Sequence, residues 1–305
     1  MNQRASEPAY EEERPLLFSI AYRMLGTVAD AEDVVQEAFL RLERARLEGT
    51  RVESPRGFLI TVTTRLAISE LRSARARRES YFGPWLPEPL VTTTEPSPAE
   101  IAEMSDSLSM SFLLLLETLS PVERAVFLLR EVFDYPYDEI AEIVDKTEVN
   151  CRQILARARS RVKEGKPRFE ADRAQGQELV RRFLDAFERG EIDQLVEYLA
   201  ADVVLVGDGG GKGQGLPRPI YGRDRVGRLL RAGHDRLSEV GVRLEPASIN
   251  GEPGALNFDA DGRLINVFAF EIAEGRIQTI RSIINPDKLA HLGFPVSDLV
   301  RKRDD

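Results

Sequence analysis

Cationic and amide side chains recur on one side of a short helical segment in the middle of the chain. The segment 137–162 reads YDEIAEIVDKTEVNCRQILARARSRV. In its second half Cys151, Leu155, Ala158 and Val162 follow the spacing of a single buried helical stripe. The other faces carry side chains able to hydrogen-bond to base edges or phosphates: Glu148, Asn150, Arg152, Gln153, Arg157 and Arg159.

The residues before this basic helix predict a shorter helix and a tight turn. The apolar spacing of 137–144 is helical, Asp145 and Lys146 interrupt it, and Thr147 is a suitable N-cap for the next helix. Two helices joined by a short turn are the arrangement that places one helix in the DNA major groove. An ordinary helical hairpin with a solvated basic face is the alternative, because helix pairs are common and arginine favours helices.

A second arginine-bearing helix is predicted to start at Ser54 and Pro55, an N-cap followed by proline at the first helical position. Its surface is expected to combine cations, hydroxyls and an exposed aromatic ring: Phe58, Thr61, Thr63, Thr64, Arg65, Ser69, Arg72, Arg75, Arg77 and Arg78. This combination suits single-stranded DNA, because cations follow the backbone while an aromatic ring contacts an unstacked base. The alternative is a basic helix end that complements the helix dipole.

An acidic helix precedes both basic segments. Asp30 is the expected N-cap, and the helix buries Val34, Val35, Ala38 and Leu42. Its outer face is polar and mainly acidic, which indicates either a solvated surface or a docking surface.

Bulk composition restricts the classes of protein. A length of 305 residues favours roughly two or three domains, and 42% hydrophobic with 30% charged residues is typical of globular proteins. The net charge of −9 excludes a uniformly basic nucleic-acid coat, although local basic clusters remain. A single cysteine excludes an internal disulfide framework and, with no secretory signal or long apolar run, predicts a cytoplasmic protein without a membrane partner.

Composition changes after the second basic helix. The stretch 81–100, YFGPWLPEPLVTTTEPSPAE, is rich in proline and threonine and is predicted to be a linker. It contains Trp85, the only tryptophan of the chain, which either docks on another part of the protein or covers a neighbouring helix end. Helical periodicity resumes near Ala99, and a capping box spans Ser120 to Glu123. Residues 108–162 are therefore predicted to form a compact four-helix unit.

The last third of the chain predicts an α+β domain. A helix, a turn at Gly190 and a short helix lead to a strand, and later strands are expected at 242–249, 255–258, 264–272 and 276–285. The strands 264–272 and 276–285 alternate well enough to form one curved antiparallel sheet. Only two histidines occur, and neither shows a catalytic partner in the sequence. The sequence predicts no enzyme activity, no cofactor and no metal site, and the phosphate-loop spacing is absent around 208–212.

These segments, in this order, resemble an extracytoplasmic-function (ECF) sigma factor of the subgroup with a fused SnoaL-like tail. The three helical segments resemble sigma regions 2 and 4, while WLPEP (85–89), DGGGK (208–212) and NPDKL (285–289) resemble motifs of that subgroup. The resemblance implies two all-α domains, a region 2 helical bundle and a region 4 helix-turn-helix, plus an α+β cone-shaped barrel. The implied boundaries are 10–80 for region 2, 81–107 for the linker, 108–165 for region 4 and 176–295 for the tail.

The resemblance also implies partners, namely promoter DNA and the beta-prime clamp helices and beta flap of core RNA polymerase. Residues implied to contact polymerase are Asp30, Glu32, Asp33, Gln36, Glu37, Leu40 and Arg41. Those implied to read the −10 element are Phe58, Arg65, Ser69, Arg72, Arg75 and Arg77, and the −35 element is assigned to Glu148, Asn150, Arg152, Gln153, Arg157 and Arg159. Ser69, Cys151 and Asp145 depart from common family residues, and many ECF factors have Asp or Asn at the position of Ser69.

In this subgroup the tail regulates the sigma core in place of a separate anti-sigma protein. The motifs are hypothesised to hold the tail against the linker through Trp85, Leu86, Pro87, Asp208, Gly209, Gly210, Gly211, Lys212, Asn285, Pro286 and Asp287. The alternative function is a one-component helix-turn-helix regulator with a small-molecule-binding tail. An enzyme with a DNA-binding appendage is a third and weaker alternative.

Overall fold

The computed structural model describes residues 7–92, 108–165, 173–212, 215–238 and 241–300. The chain divides into two compact units. A helical unit comprises Met1–Glu79 and Leu113–Lys166, and a C-terminal unit comprises Ser80–Phe112 and Pro167–Asp305. The expected separate linker therefore belongs to the C-terminal unit. Among the residues that the structure describes, no helix combines the length and the hydropathy needed to cross a bilayer.

The helical unit is built from α1 (Glu7–Leu25), α2 (Val28–Leu47), α3 (Pro55–Glu79), the end of α4 (Met110–Leu116), α5 (Pro121–Glu131), α6 (Tyr137–Val144) and α7 (Glu148–Gly165). Helices α1, α2 and α3 pack on one another, and α5 contacts α3, α6 and α7. The part of the predicted helix between Ala99 and residue 107 lies outside the described residues.

The start of α2 differs from the expectation. Its N-cap is Thr27 rather than Asp30, and the Thr27 hydroxyl donates a hydrogen bond of 2.6 Å to the Asp30 carboxylate. Asp30 thus lies in the first turn, where a carboxylate is favourable toward the positive end of the helix dipole.

The helix-turn-helix is present as predicted. Asp145 adopts the left-handed conformation, with φ 53°, and the Thr147 hydroxyl accepts a hydrogen bond of 3.2 Å from the backbone N–H of Asn150. Asp tolerates this backbone region better than most residues, so it replaces glycine at the turn. The predicted capping box is also confirmed, since Ser120 and Glu123 bond reciprocally at the start of α5.

The C-terminal unit contains helices α8 (Arg173–Glu188), α9 (Ile192–Glu197), α10 (Arg223–Ser238) and α11 (Pro286–Leu289). Its strands are β1 (Val91–Thr92), β2 (Leu199–Asp208), β3 (Ile220–Tyr221), β4 (Val242–Ile249), β5 (Glu252–Asp259), β6 (Leu264–Ala273) and β7 (Arg276–Ile283). Among the described residues they form one sheet in the order β1-β4-β5-β6-β7-β2-β3. Its apolar core joins Phe183 and Phe187 of α8 to Phe270 and Ile280 of the sheet.

The expected antiparallel pairing of 264–272 with 276–285 is confirmed, because β6 and β7 pair in this way. Two features of the sheet were not expected. Strands β2 and β7 pair in parallel, whereas the other neighbouring strands are antiparallel. The short strand β1 comes from the linker and pairs with β4 at the sheet edge. The predicted turn at Glu274 and Gly275 is confirmed, because both residues have positive φ as a type I′ hairpin requires.

Candidate nucleic-acid interface and linker junction

Helix α7 presents a polar face opposite a buried stripe. Cys151, Leu155, Ala158 and Val162 are all buried, as their spacing predicts. Burial raises the pKa of the Cys151 thiol, so this cysteine is an apolar filler rather than a reactive group. Arg152, Gln153, Arg157 and Arg159 are exposed, and Asn150 is half-buried.

Acidic residues neutralise several cations of α7 in this arrangement. Arg152 forms an ion pair of 2.9 Å with Glu148 and lies 4.7 Å above the Tyr137 ring. Arg159 pairs with Glu131 of α5 at 2.7 Å. Such exposed pairs are weak, typically below about 1 kcal/mol, so phosphates can compete for the same arginines.

Glu123 of α5 connects the capping box to the basic helix. Its carboxylate lies 2.8 Å from Arg161 and 3.9 Å from Arg157. Burial alone raises the pKa of Glu123, but hydrogen bonds from Ser120 and the charges of both arginines outweigh this effect and lower it. The carboxylate therefore holds the orientation of α7 on α5 as well as capping a helix.

Helix α3 exposes fewer of the side chains that are expected to contact DNA. Thr63 and Thr64 are fully buried, so the expectation that their hydroxyls meet DNA is wrong. Phe58 is half-buried rather than exposed, while Ser69 and Arg72 are exposed. The side chains of Arg75 and Arg77 lie outside the described residues.

Arg65 of α3 is held by the helix-turn-helix. Its guanidinium donates hydrogen bonds of 2.9 Å and 2.8 Å to the carbonyl oxygens of Ile143 and Glu142, at the C-terminal end of α6. The last carbonyls of a helix have no partner within that helix, and a cation is favourable there. A residue expected to read the −10 element thus bridges the two basic helical segments.

The outer face of α2 combines charge with exposed apolar surface. Asp33, Gln36 and Arg41 are exposed, and Arg41 pairs with Glu37 at 2.8 Å. Glu32 is engaged by Arg14 of α1. Leu40 and Leu47, one heptad apart, are 45% and 87% exposed.

Within the C-terminal unit, three sequence motifs meet at one buried ion pair. The Asp208 carboxylate accepts a hydrogen bond of 2.8 Å from the backbone N–H of Leu86 and lies 2.7 Å from Nζ of Lys288. Lys288 also donates to the carbonyl oxygen of Leu86 and lies 4.4 Å from the Trp85 ring centroid. We name Tyr81, Trp85, Leu86, Asp208, Asn285 and Lys288 the linker junction.

Tyr81 and the glycine loop complete the linker junction. The Tyr81 hydroxyl donates to Asp208 and accepts a hydrogen bond of 2.9 Å from Asn285. Burial, with the adjacent Asp208 carboxylate, raises the pKa of Tyr81 far above its ordinary value. Gly210 has φ 58°, and a Cβ there would lie 2.3 Å from the Asn285 amide nitrogen. Lys212, by contrast, forms an exposed ion pair of 2.6 Å with Asp287.

A second anchor binds both ends of the linker. Asn250 accepts a hydrogen bond of 3.0 Å from the N–H of Leu90 and donates one of 3.1 Å to the carbonyl oxygen of Leu108. His291, which shows no partner in the sequence, lies 2.9 Å from the carbonyl oxygen of Pro89 through Nε2 and 3.9 Å from Glu88 through Nδ1. The described part of the linker is therefore held at Leu86, Pro89 and Leu90, and the chain is held again at Leu108.

Comparison with known proteins identifies the parts of this arrangement. Family profiles match Sigma-70 region 2 over residues 9–77, Sigma-70 region 4 over 109–162 and a SnoaL-like domain over 180–301. The chain is 35% identical to the ECF RNA polymerase sigma factor SigJ of Mycobacterium tuberculosis, over 95% of this chain and 94% of SigJ. This chain belongs to the ECF sigma factor family. The probable ECF sigma factor SigI of the same organism is 33% identical, over 92% of this chain and 93% of SigI.

The fold of this chain is also that of a known ECF sigma factor. The crystal structure of SigJ from Mycobacterium tuberculosis superposes with a TM-score of 0.74 at 33% identity, covering 95% of this chain and 99% of that one. Sigma factors bind core RNA polymerase and promoter DNA and are not enzymes, although SnoaL-like folds include enzymes. Because the chain belongs to this family, it is a transcription initiation factor and not a one-component regulator.

Sequence reasoning missed several residues of the sigma factor that the structure brings together. The sequence does not indicate a role for Tyr81 or Asn250, and the contact predicted from the NPDKL motif does not include its Lys288. Tyr81 follows the end of α3 and showed no signal beyond its position in the linker. Asn250 precedes Gly251 at a hairpin turn, which predicts a turn residue but not a linker contact.

Proposed function

We propose that the outer face of α2 docks on the beta-prime clamp helices of core RNA polymerase, and that region 4 meets the beta flap. The support is the pattern of the surface, since Leu40 and Leu47 lie among exposed polar residues such as Asp33 and Gln36. Apolar groups surrounded by charges are typical of protein–protein interfaces. Replacing Leu40 by Arg is expected to abolish co-purification with core polymerase, whereas binding at the wild-type level would refute this docking face.

We further propose that α3 reads the −10 element as a single strand and α7 reads the −35 element as a duplex. The exposed Ser69 and Arg72 serve the first surface, and Arg152, Gln153 and Arg157 serve the second. Base capture in a single strand requires unstacking, which costs a few kcal/mol per base. Opening of the duplex therefore depends on polymerase bound to the same factor.

Both reading surfaces lie in one helical unit, joined by Arg65. The two promoter elements are named for positions about 25 base pairs apart, or roughly 85 Å along B-DNA at about 3.4 Å per step. Because α3 packs on α5 and α6 of region 4, the compact helical unit does not reach both elements at once. We propose that binding to polymerase separates region 2 from region 4 and releases Arg65 to the −10 element.

The C-terminal domain is proposed to modulate this factor by holding the linker. The observation that carries this proposal is the buried Asp208–Lys288 pair, which bonds both the N–H and the carbonyl oxygen of Leu86. A linker held at Leu86, Leu90 and Leu108 spans a shorter end-to-end distance than a free chain of the same length can reach. We propose that the domain acts in place of a separate anti-sigma protein, without catalysis, and in the cytoplasm where polymerase works.

Transcription in vitro with core polymerase and a target promoter tests this proposal. Output that requires the added factor is expected. Asp208→Ala and Trp85→Ala are expected to change that output, because each removes a contact of the linker junction. Lys212→Ala is the matched control, since its ion pair is exposed and lies outside the linker junction. Unchanged output from both junction variants would remove the modulatory role and leave promoter recognition intact.

A further inference from the structure

An apolar side chain lies at the start of α7, the helix proposed to read the −35 element. Val149 is 63% exposed and occupies the second position of α7. Three residues of the described helical unit are large, apolar and exposed: Leu40, Leu47 and Val149. The first two lie on α2, at the proposed polymerase surface, so Val149 is the one that belongs to the helix-turn-helix.

The position of Val149 on the helix is opposite the core. The buried stripe runs through Cys151, Leu155 and Ala158. Val149 and Gln153 precede the first two of these by two residues, and each residue turns a helix by about 100°. Val149 therefore lies about 200° from the stripe, and Gln153 and Ala156 continue the same exposed line.

Major-groove chemistry provides a ligand for such a side chain. The edges of the bases display hydrogen-bonding groups, and the C5-methyl group of thymine is the one apolar feature among them. Helix-turn-helix proteins contact base edges with residues near the N-terminus of the recognition helix. A valine side chain makes no hydrogen bond, and its stiff χ1 fixes where its methyl groups lie. The thymine methyl group is thus the base-edge feature that suits this side chain.

We infer that Val149 is a specificity-determining residue that packs against the C5-methyl group of one thymine in the −35 element. The inference rests on the proposed function of α7 as the reader of that element. Gln153, next on the exposed line, supplies the amide that pairs with adenine edges. The two side chains together favour A·T pairs at adjacent positions of the element.

Replacing thymine by deoxyuridine removes only the methyl group and so tests the contact directly. The full-length factor with core polymerase is first used to select a −35 element from promoters randomised there. Each thymine of the selected element is then changed to deoxyuridine, and affinity is measured. Burying one methyl-sized group is worth about fourfold in affinity. The wild-type complex is therefore expected to lose about fourfold at one thymine and little at the others.

Variants assign the loss to the side chain. Val149→Ala is expected to lose a similar factor on the thymine promoter and to show no further loss with deoxyuridine. Val149→Ile should keep the sensitivity. Tyr221→Ala, at an exposed residue of the C-terminal unit that belongs to no proposed binding surface, is the control that leaves it unchanged. Circular dichroism melting confirms that each variant is folded, and Val149→Ser replaces Val149→Ala if that variant is not.

Three results would contradict the contact between Val149 and thymine, and a further one would contradict the proposed function of α7. A selected element without an A·T pair, wild-type insensitivity to every deoxyuridine, or a Val149→Ala complex as sensitive as wild type would overturn the inference. In those cases transversions in the −35 element that still abolish binding leave the proposed function standing. If transversions have no effect on the wild-type complex, the proposed role of α7 fails instead.

Discussion

The Nζ atom of Lys288 lies 2.7 Å from Oδ2 of Asp208, with side chains only 6% and 0% exposed. These residues are 80 positions apart and belong to two different motifs, and the carboxylate also accepts a hydrogen bond from the N–H of Leu86 in a third motif. A buried pair tolerates desolvation only when its other hydrogen-bonding positions are filled. Here the N–H and the carbonyl oxygen of Leu86 fill such positions. If the linker left this site, the Asp208–Lys288 pair would lose these two hydrogen bonds.

Replacing Lys288 by Met is expected to destabilise the C-terminal unit strongly. Removing one partner of a buried pair leaves an uncompensated charge, at a cost of about 3–5 kcal/mol. Lys212→Met is the matched control, because its exposed pair with Asp287 is worth at most about 1 kcal/mol. Urea unfolding followed by the fluorescence of Trp85, the only tryptophan, reports on the linker junction itself. Equal midpoints for the two variants would contradict this account.

The two hydrogen bonds that the Asn250 side chain makes with the main chain can be tested separately. Asn250→Asp keeps the oxygen that accepts the N–H of Leu90 but replaces the amide that donates to the carbonyl oxygen of Leu108. Aspartate also tolerates the left-handed backbone found here, with φ 53°. Amide exchange and proteolysis are therefore expected to increase around residue 108 but not around residue 90. Increased exchange at both ends, or at neither, would show that Asn250 does not hold the ends separately.

Local patterns predicted much of the fold of this sigma factor. The turn at Asp145, the N-cap at Thr147 and the strand 242–249 were all found from spacing and residue type. Such features depend on neighbours within a few residues, so the sequence alone contains their signal. The hydroxyls of Thr63 and Thr64 predict a surface position, but both side chains are buried, because packing against other helices decides which face of α3 is covered.

Features made by distant segments could not be predicted in the same way. Strand β1 has two residues, and its partner β4 lies about 150 positions further along the chain. The parallel pairing of β2 with β7 likewise depends on the path of the whole domain. The motifs WLPEP, DGGGK and NPDKL indicated that a contact exists, but the buried lysine and Tyr81 at its centre required coordinates.

The ion pair between Glu271 and Arg281 predicts a pH dependence. Burial alone raises the pKa of Glu271, but the charge and hydrogen bond of Arg281, with hydrogen bonds from Ser111 and Thr279, outweigh it and lower the pKa. A lowered folded-state pKa means that the stabilisation is complete above the ordinary value and is lost as pH falls through the lowered one. Urea midpoints of wild type and Glu271→Gln are expected to differ at pH 7 and converge in acid. A constant difference would exclude linkage through Glu271.

Arg65 is predicted to stabilise the end of α6 in the free factor. Its guanidinium donates to the carbonyl oxygens of Glu142 and Ile143, which have no helical partners of their own. Arg65→Ala is therefore expected to speed amide exchange in α6 and α7 without DNA or polymerase, and Arg72→Ala, on the exposed face of the same helix, is not. In transcription both variants are expected to weaken initiation, because both arginines belong to the proposed −10 surface. If amide exchange in α6 and α7 is faster only in Arg65→Ala, Arg65 stabilises the helical unit in addition to binding DNA. If the exchange rates of the two variants are equal, Arg65 has a role in DNA binding alone.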